Sequence, residues 1–278
     1  MAAQLAVGSS LREYARGAVG GLLFSLPILY TMEMWWAGFL CTPTRLLSGL
    51  CATFVMLALY NLYAGLRRDA SVAEILVDSV EEMGLGLTGA AVMLWLLNRI
   101  DLSMAPLEIA GKVVVEGMVT AIGVSVGTAQ LGGNSKSEQG APVAYRDQEP
   151  WRHLSLAACG AMLLAANVAP TEEIKVLAAE LSAAGVLGLA VVSFIVGAIV
   201  LHYSDFTSAV PARETGYFAA ARSTTQSYAV ALLVSAASLW FYGRFTDEAG
   251  AVICAQIVVL GFASMLGASA GRLLLQPS

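Results

Sequence analysis

The chain runs to 278 residues, 58% of them hydrophobic and 13% charged, with a mean hydropathy of +0.72 and a formal net charge of −5. A water-soluble domain of this length needs a far larger charged share to cover its surface, so a soluble catalytic domain is excluded and an all-α, polytopic transmembrane bundle is expected. The net charge says little about partners because most charges fall at the ends of apolar runs; a lipid bilayer is implied, nucleic acid is not, and no cofactor is expected.

A bilayer span takes roughly 20 predominantly apolar residues. Eight stretches are read as spans: residues 17–40, 46–62, 72–97, 107–129, 154–181, 183–203, 228–242 and 251–274. Ahead of the first, Arg12 and Arg16 follow a short apolar stretch rather than precede it. That is not the order of a signal peptide, so the first span is expected to remain as a helix. Within it Pro27 removes a backbone donor and predicts a kink. Glu33 follows, about 16 residues into the span and so ~24 Å along it at 1.5 Å per residue. An ionised group at that depth costs about 2.5–3.5 kcal/mol, so Glu33 must face the bundle, pair, or be protonated. The alternative is a satisfied structural carboxylate near the interface.

The third span opens with Glu74, Asp78, Glu81 and Glu82, whose spacing puts all four on one helix face. Four clustered acids cannot all ionise in a low-dielectric site without cations, which suggests a hydrated vestibule; a solvated helix end is the alternative. Gly84, Gly86 and Gly89 make a smooth face further along. In the fourth span Glu108, Lys112 and Glu116 also share a face. Lys112 is placed either to form a structural salt bridge or to neutralise Glu33 on a translocation path. Ser125 then sits in Gly-x-Ser-x-Gly between Gly123 and Gly127. In soluble hydrolases that pattern marks a nucleophile. Inside a continuous apolar helix it reads as small-residue packing between helices.

The second half repeats the first. Residues 112–127 align without a gap on 256–271, and 91–99 align on 236–244. The Gly-x-Ser-x-Gly motif returns as Gly267, Ser269 and Gly271, and Glu33 falls on Glu173, with Glu172 beside it. A duplicated apolar pattern predicts two four-helix repeats, 1–130 and 151–278, joined by a polar linker at 131–150. Four spans each means that both insert the same way up. The fifth helix is expected to continue, kinked, through Pro170. Several charges of the first half have neutral equivalents: Gln256 for Lys112, Leu260 for Glu116, and Ser223, Gln226 and Ser227 for Asp78, Glu81 and Glu82.

Trp35, Trp36, Trp95 and Trp240, with Arg99 and Arg244 after the last two, read as an aromatic belt with snorkelling arginines. Cys41, Cys51, Cys159 and Cys254 show no metal spacing and read as small buried hydrophobes. Basic residues collect on the side of both termini (Arg12, Arg16, Arg67, Arg68, Lys136, Arg146, Arg152, Arg213, Arg222 and Arg272), which makes that side, and the linker, cytoplasmic.

At FSLPILYTMEMWW (residues 24–36) and APTEEI (residues 169–174) the chain resembles an uncharacterised bacterial family of integral membrane proteins, a domain of unknown function. The resemblance implies a bacterial inner-membrane protein and little about its chemistry. The residues themselves point to translocation of an inorganic cation or proton through a path between the repeats, by a transporter or a channel, and not to an enzyme. Glu33, Glu173 and Glu172 would form an outer site, tuned by Lys112 and Glu116, with Glu81, Glu82 and Asp78 on the inner route. The competing class is a scaffold or sensor whose carboxylates only hold helices together. Which ion moves, and whether identical chains assemble, stays open.

Overall fold

The computed structural model describes residues 2–64, 71–130, 150–203 and 217–274. The linker expected at 131–150 lies outside them except for Pro150, as do Arg67, Arg68, Lys136, Arg146 and Arg213. Among the described residues all regular structure is helical: α1 (Ala2–Leu29), α2 (Met32–Leu40), α3 (Pro43–Ala64), α4 (Val72–Leu96), α5 (Pro106–Gln130), α6 (Pro150–Val168), α7 (Glu173–Glu180), α8 (Ala183–Tyr203), α9 (Tyr217–Phe241) and α10 (Gly250–Leu274). They divide into two compact units, Met1–Asp147 and Gln148–Ser278.

By length and composition α3, α5, α8 and α10 are each able to cross a membrane, and the pairs α1+α2 and α6+α7 raise the number to six if each counts once. The eight expected spans are thus four to six on this measure. The two helices that fall short, α4 and α9, are 25 residues long. Composition is what holds them back: acids line the first half of α4, and Arg222 through Ser227 make the start of α9 polar.

The first and fifth spans are not single kinked helices. α1 and α2 meet at 90°, α6 and α7 at 91°. At the second break proline is the local cause, since Pro170 offers no N–H and its ring crowds the carbonyl one turn back. In the first unit the helix survives Pro27 and breaks four residues later, where Thr31 is extended (φ −97°, ψ 116°). The Thr31 hydroxyl donates back to the Pro27 carbonyl at 2.7 Å, occupying an acceptor that α1 leaves orphaned. In the second unit α6 stops just before Pro170, and the Thr171 hydroxyl donates to the Val168 carbonyl at 2.8 Å.

Each unit is built round its last helix. In the first, α5 packs against α1, α2, α3 and α4, and 78% of its apolar window is buried. The glycines set how close the neighbours come. A Cβ built on Gly127 would lie 2.5 Å from Gly20 Cα, one on Gly86 2.5 Å from Ala121 Cα, and one on Gly38 2.6 Å from Lys112 Cα. Backbone therefore meets backbone on three sides of α5. In the second unit α10 packs against α6, α7, α8 and α9, and a Cβ on Gly271 would lie 2.5 Å from the Leu156 carbonyl oxygen. Helix α8 has the opposite character, with only 11% of its apolar window buried. Of the cysteines only Cys159 is buried; Cys51 and Cys254 lie on exposed helix faces, which corrects their reading as core residues.

Helices α4 and α9 end alike. Asn98 and Gly243 take left-handed conformations (φ 53° and 73°), and the next amide bonds back five residues, Arg99 N to Leu94 O at 2.8 Å and Arg244 N to Leu239 O at 2.9 Å. This closure satisfies carbonyls that the helix end would leave open. The two arginines then reach the bend of their own unit. The Arg99 guanidinium stacks over the Trp35 ring at 4.2 Å. Arg244 pairs with Glu172 at 2.6 Å and donates to the Pro170 carbonyl. Their partners are thus at the bends; Trp95 and Trp240 remain exposed.

Candidate intramembrane carboxylate site

On α4 the buried positions are Ile75, Ser79, Glu82, Gly86, Ala90 and Leu94, a stripe of helical period. Glu82 lies on that stripe, and its neighbours among the acids do not. Glu74 closes a capping box, accepting from Ser71 N at 2.7 Å while its own N–H donates to Ser71 Oγ at 3.4 Å. Glu81 is exposed, with the Tyr14 hydroxyl 3.4 Å away, and Asp78 is half-buried. The expected four-acid face is therefore split between a helix cap, two residues at the margin and one core carboxylate.

Glu82 is 8% exposed and accepts from Asn61 Nδ2 at 2.8 Å. Asn61, on α3, also donates to Ser79 Oγ at 3.2 Å, and its carbonyl oxygen accepts from Ser125 Oγ on α5 at 3.3 Å. Residues from three helices thus form one buried polar network. Sequence reasoning missed Asn61. The available signal was an amide inside an apolar run, which must find partners or leave its dipole unsatisfied. Ser125 consequently does more than fill space, whereas Ser269, equally buried, has a hydroxyl without a hydrogen-bond partner. Ser125→Ala should cost about 1 kcal/mol, the usual worth of one such bond, and Ser269→Ala should be silent; melting curves of the purified variants compare them. Equal melting shifts would refute the difference.

On α5 Lys112 is buried, and its ammonium group is held by Glu108 Oε1 at 2.7 Å, the Arg99 carbonyl at 3.2 Å and Met104 Sδ at 3.5 Å. The i,i+4 pair expected from the spacing is therefore present, while Glu33 is not among the partners of Lys112. The loop giving the Arg99 carbonyl is braced by Asp101, which accepts from both the hydroxyl and the backbone N–H of Ser103. Those bonds, the hydroxyl's first, hold the Asp101 carboxyl below its ordinary range. One turn beyond Lys112, Glu116 is 1% exposed and both its carboxyl oxygens lack a hydrogen-bond partner.

The remaining acids sit elsewhere. Glu33 is half-buried in the first turn of α2, after the right-angle bend, so the depth computed along a continuous span does not apply to it. Glu173 is exposed in the first turn of α7, and Glu172 is engaged by Arg244. In the second unit Leu260, aligned with Glu116, lies in an apolar cluster with Ala165, Ile174 and Leu239. Gln256, aligned with Lys112, is fully buried with neither amide atom hydrogen-bonded. Ser227, aligned with Glu82, accepts from Arg272 at 2.8 Å. Among the described residues no group of three or more His, Cys, Asp or Glu is arranged to hold a metal ion.

The family model described as "Putative integral membrane protein (DUF2391)" matches residues 13–275. No curated protein and no solved structure matches the chain.

Proposed function

The chain belongs to the DUF2391 family of integral membrane proteins, and on that premise we propose that it moves a cation or proton across the bilayer through its first unit. One observation carries the reading: Glu82 and Glu116 are buried on adjoining helices of that unit, where the aligned residues of the second unit are Ser227 and Leu260. Ionisable groups inside a membrane bundle are costly, by about 2.5–3.5 kcal/mol on insertion scales, and mark ion paths and proton relays. Lys112 with Glu108 stands at one end of α5, and Asp78 with Glu81 at the margin of the acidic helix.

The same reading has all eight long helices crossing, α4 and α9 included, because each would measure at least about 28 Å at 1.5 Å per residue. It takes the two units as copies of one ancestral unit, which the ungapped sequence match, the paired right-angle breaks and the paired left-handed helix ends support. It places α2 and α7 at the membrane interface, the protein in a bacterial inner membrane, and both termini in the cytoplasm. The rival reading is a scaffold, favoured by the ion pairs Arg244–Glu172 and Lys175–Glu248 that pin α7.

Flux into liposomes separates the two. Purified protein should raise the flux of at least one of H⁺, Na⁺, K⁺ or Ca²⁺ above empty vesicles, and Glu82→Gln should lower it about tenfold, the effect of roughly 1.4 kcal/mol on a barrier. No flux of any of the four would leave the scaffold standing.

A further inference from the structure

We propose that Glu116 is a proton-binding site, and that the cation carried by the first unit is a proton rather than a metal ion. The second clause rests on the translocation reading above; the first stands without it.

The register of α1 against α5 defines the surroundings of Glu116. Gly17 lies against Val124 and Thr128, and Gly21 against Thr120 and Val124. Each step of four along α1 thus moves four back along α5, so the helices are antiparallel. One step further sets Ser25 level with Glu116. Ser25 is fully buried, and its hydroxyl has no hydrogen-bond partner. The Thr120 hydroxyl is spent on the Glu116 backbone carbonyl at 2.9 Å.

The charged and titratable groups on the packed elements are otherwise placed. Among the described side chains they are Tyr14 and Arg16 on α1; Glu33 on α2; Arg45, Cys51, Tyr60 and Tyr63 on α3; and Glu74, Asp78, Glu81 and Glu82 on α4. On α5 itself they are Glu108 and Lys112, which pair with each other. None of them forms a hydrogen bond or ion pair with the Glu116 carboxyl.

Such a site suits a proton and not a metal ion. Calcium takes six to eight oxygen ligands and magnesium near-octahedral coordination. Glu116 offers two oxygens, Ser25 one more, and the carbonyls of α5 are engaged within the helix. A buried carboxylate with neither counter-ion nor donors bears the full desolvation penalty, which protonation removes. One proton suffices: a carboxylate oxygen takes it from hydronium, forming one O–H bond and leaving water, and release reverses the step. The first unit tolerates a neutral group here just as the second tolerates Leu260.

Infrared spectroscopy of the full chain in lipid at pH 7 tests the site directly. The wild type should show the C=O stretch of a protonated carboxyl. Glu116→Gln, close in shape to the neutral acid, should lose that band; Glu116→Asp should keep it, shifted; Glu82→Gln should leave it in place. Absence of the band in the wild type, or its survival undiminished in Glu116→Gln, overturns the site. Should the glutamine variant fail to fold, an unshifted band in Glu116→Asp overturns it equally.

The cargo is read in liposomes. An internal pH dye should report proton entry that drops about tenfold or more in Glu116→Gln. Flux of Na⁺ or K⁺ without any pH change refutes the proton as cargo while translocation stands. If the band behaves as expected and no ion moves, the site stands and translocation falls.

Discussion

Gly127→Leu should abolish most of the folded, monodisperse protein recovered in detergent, and Gly271→Leu should do the same. At Gly127 even the first side-chain carbon would lie 2.5 Å from Gly20 Cα and 3.0 Å from the Arg16 carbonyl oxygen. At Gly271 it would lie 2.5 Å from the Leu156 carbonyl oxygen and 3.0 Å from Gly160 Cα. These obstacles are backbone, so no rotamer change relieves them. Overpacking a well-filled core costs about 1–3 kcal/mol, and more when whole helices must separate. Helix association in a bilayer has no hydrophobic drive to compensate, since lipid is as apolar as leucine; it depends on this close approach. Gly188, on exposed α8, meets nothing within 4 Å and provides the control: Gly188→Leu should behave as wild type. Size-exclusion profiles and melting temperatures of the three variants decide the matter, and wild-type behaviour of Gly127→Leu would refute the packing account.

Asn61→Leu should be the second most damaging change, lowering stability by about 1.5–3 kcal/mol, the range for a hydrogen bond to a charged group in a protein interior. The amide donor 2.8 Å from Glu82 is lost, and so is the acceptor for Ser125. The double variant Asn61→Leu/Glu82→Leu should recover much of that loss, because an apolar pair removes the buried polar group along with its partner. A double-mutant cycle on melting temperature measures the coupling; strict additivity would mean that the network is incidental.

The membrane character and the helical class were legible because hydropathy is summed over long windows and tolerates local error. The bends were half legible. Pro27 and Pro170 announce where hydrogen bonds must fail, but the direction taken afterwards is a tertiary matter. It is set where Gly38 meets the backbone of Lys112 and where Arg99 and Arg244 grip the bends. The weight given to Glu33 depended on a straight helix, and a right angle removes that premise. Of the acids on α4, charge density drew notice to all four, whereas the burial stripe singles out Glu82. Asn61 escaped notice because a network of single residues from three helices leaves no periodic trace in any one of them. Glu116 was visible as one rung of a charge ladder. Its isolation was not, because Lys112 had two carboxylates within reach, and the packing gave it to Glu108.

The acidic start of α4 also bears on how the protein is made. A nascent helix leaves the insertion machinery for lipid according to its own apolarity, and carboxylates near its middle argue for staying in water. Glu82 sits well inside α4, and its Asn61 donor lies on a helix already synthesised; its Ser125 neighbour has yet to emerge. Alone, α4 is a poor passenger. Joined by a short loop to the more apolar α5, with Gly86 seated on Ala121, it has a companion that covers its polar stripe. If α4 crosses, as the proposed reading has it, the two should enter the bilayer as a hairpin after the ribosome has passed residue 130, and a chain truncated in the loop before α5 should leave α4 on the side from which it was delivered.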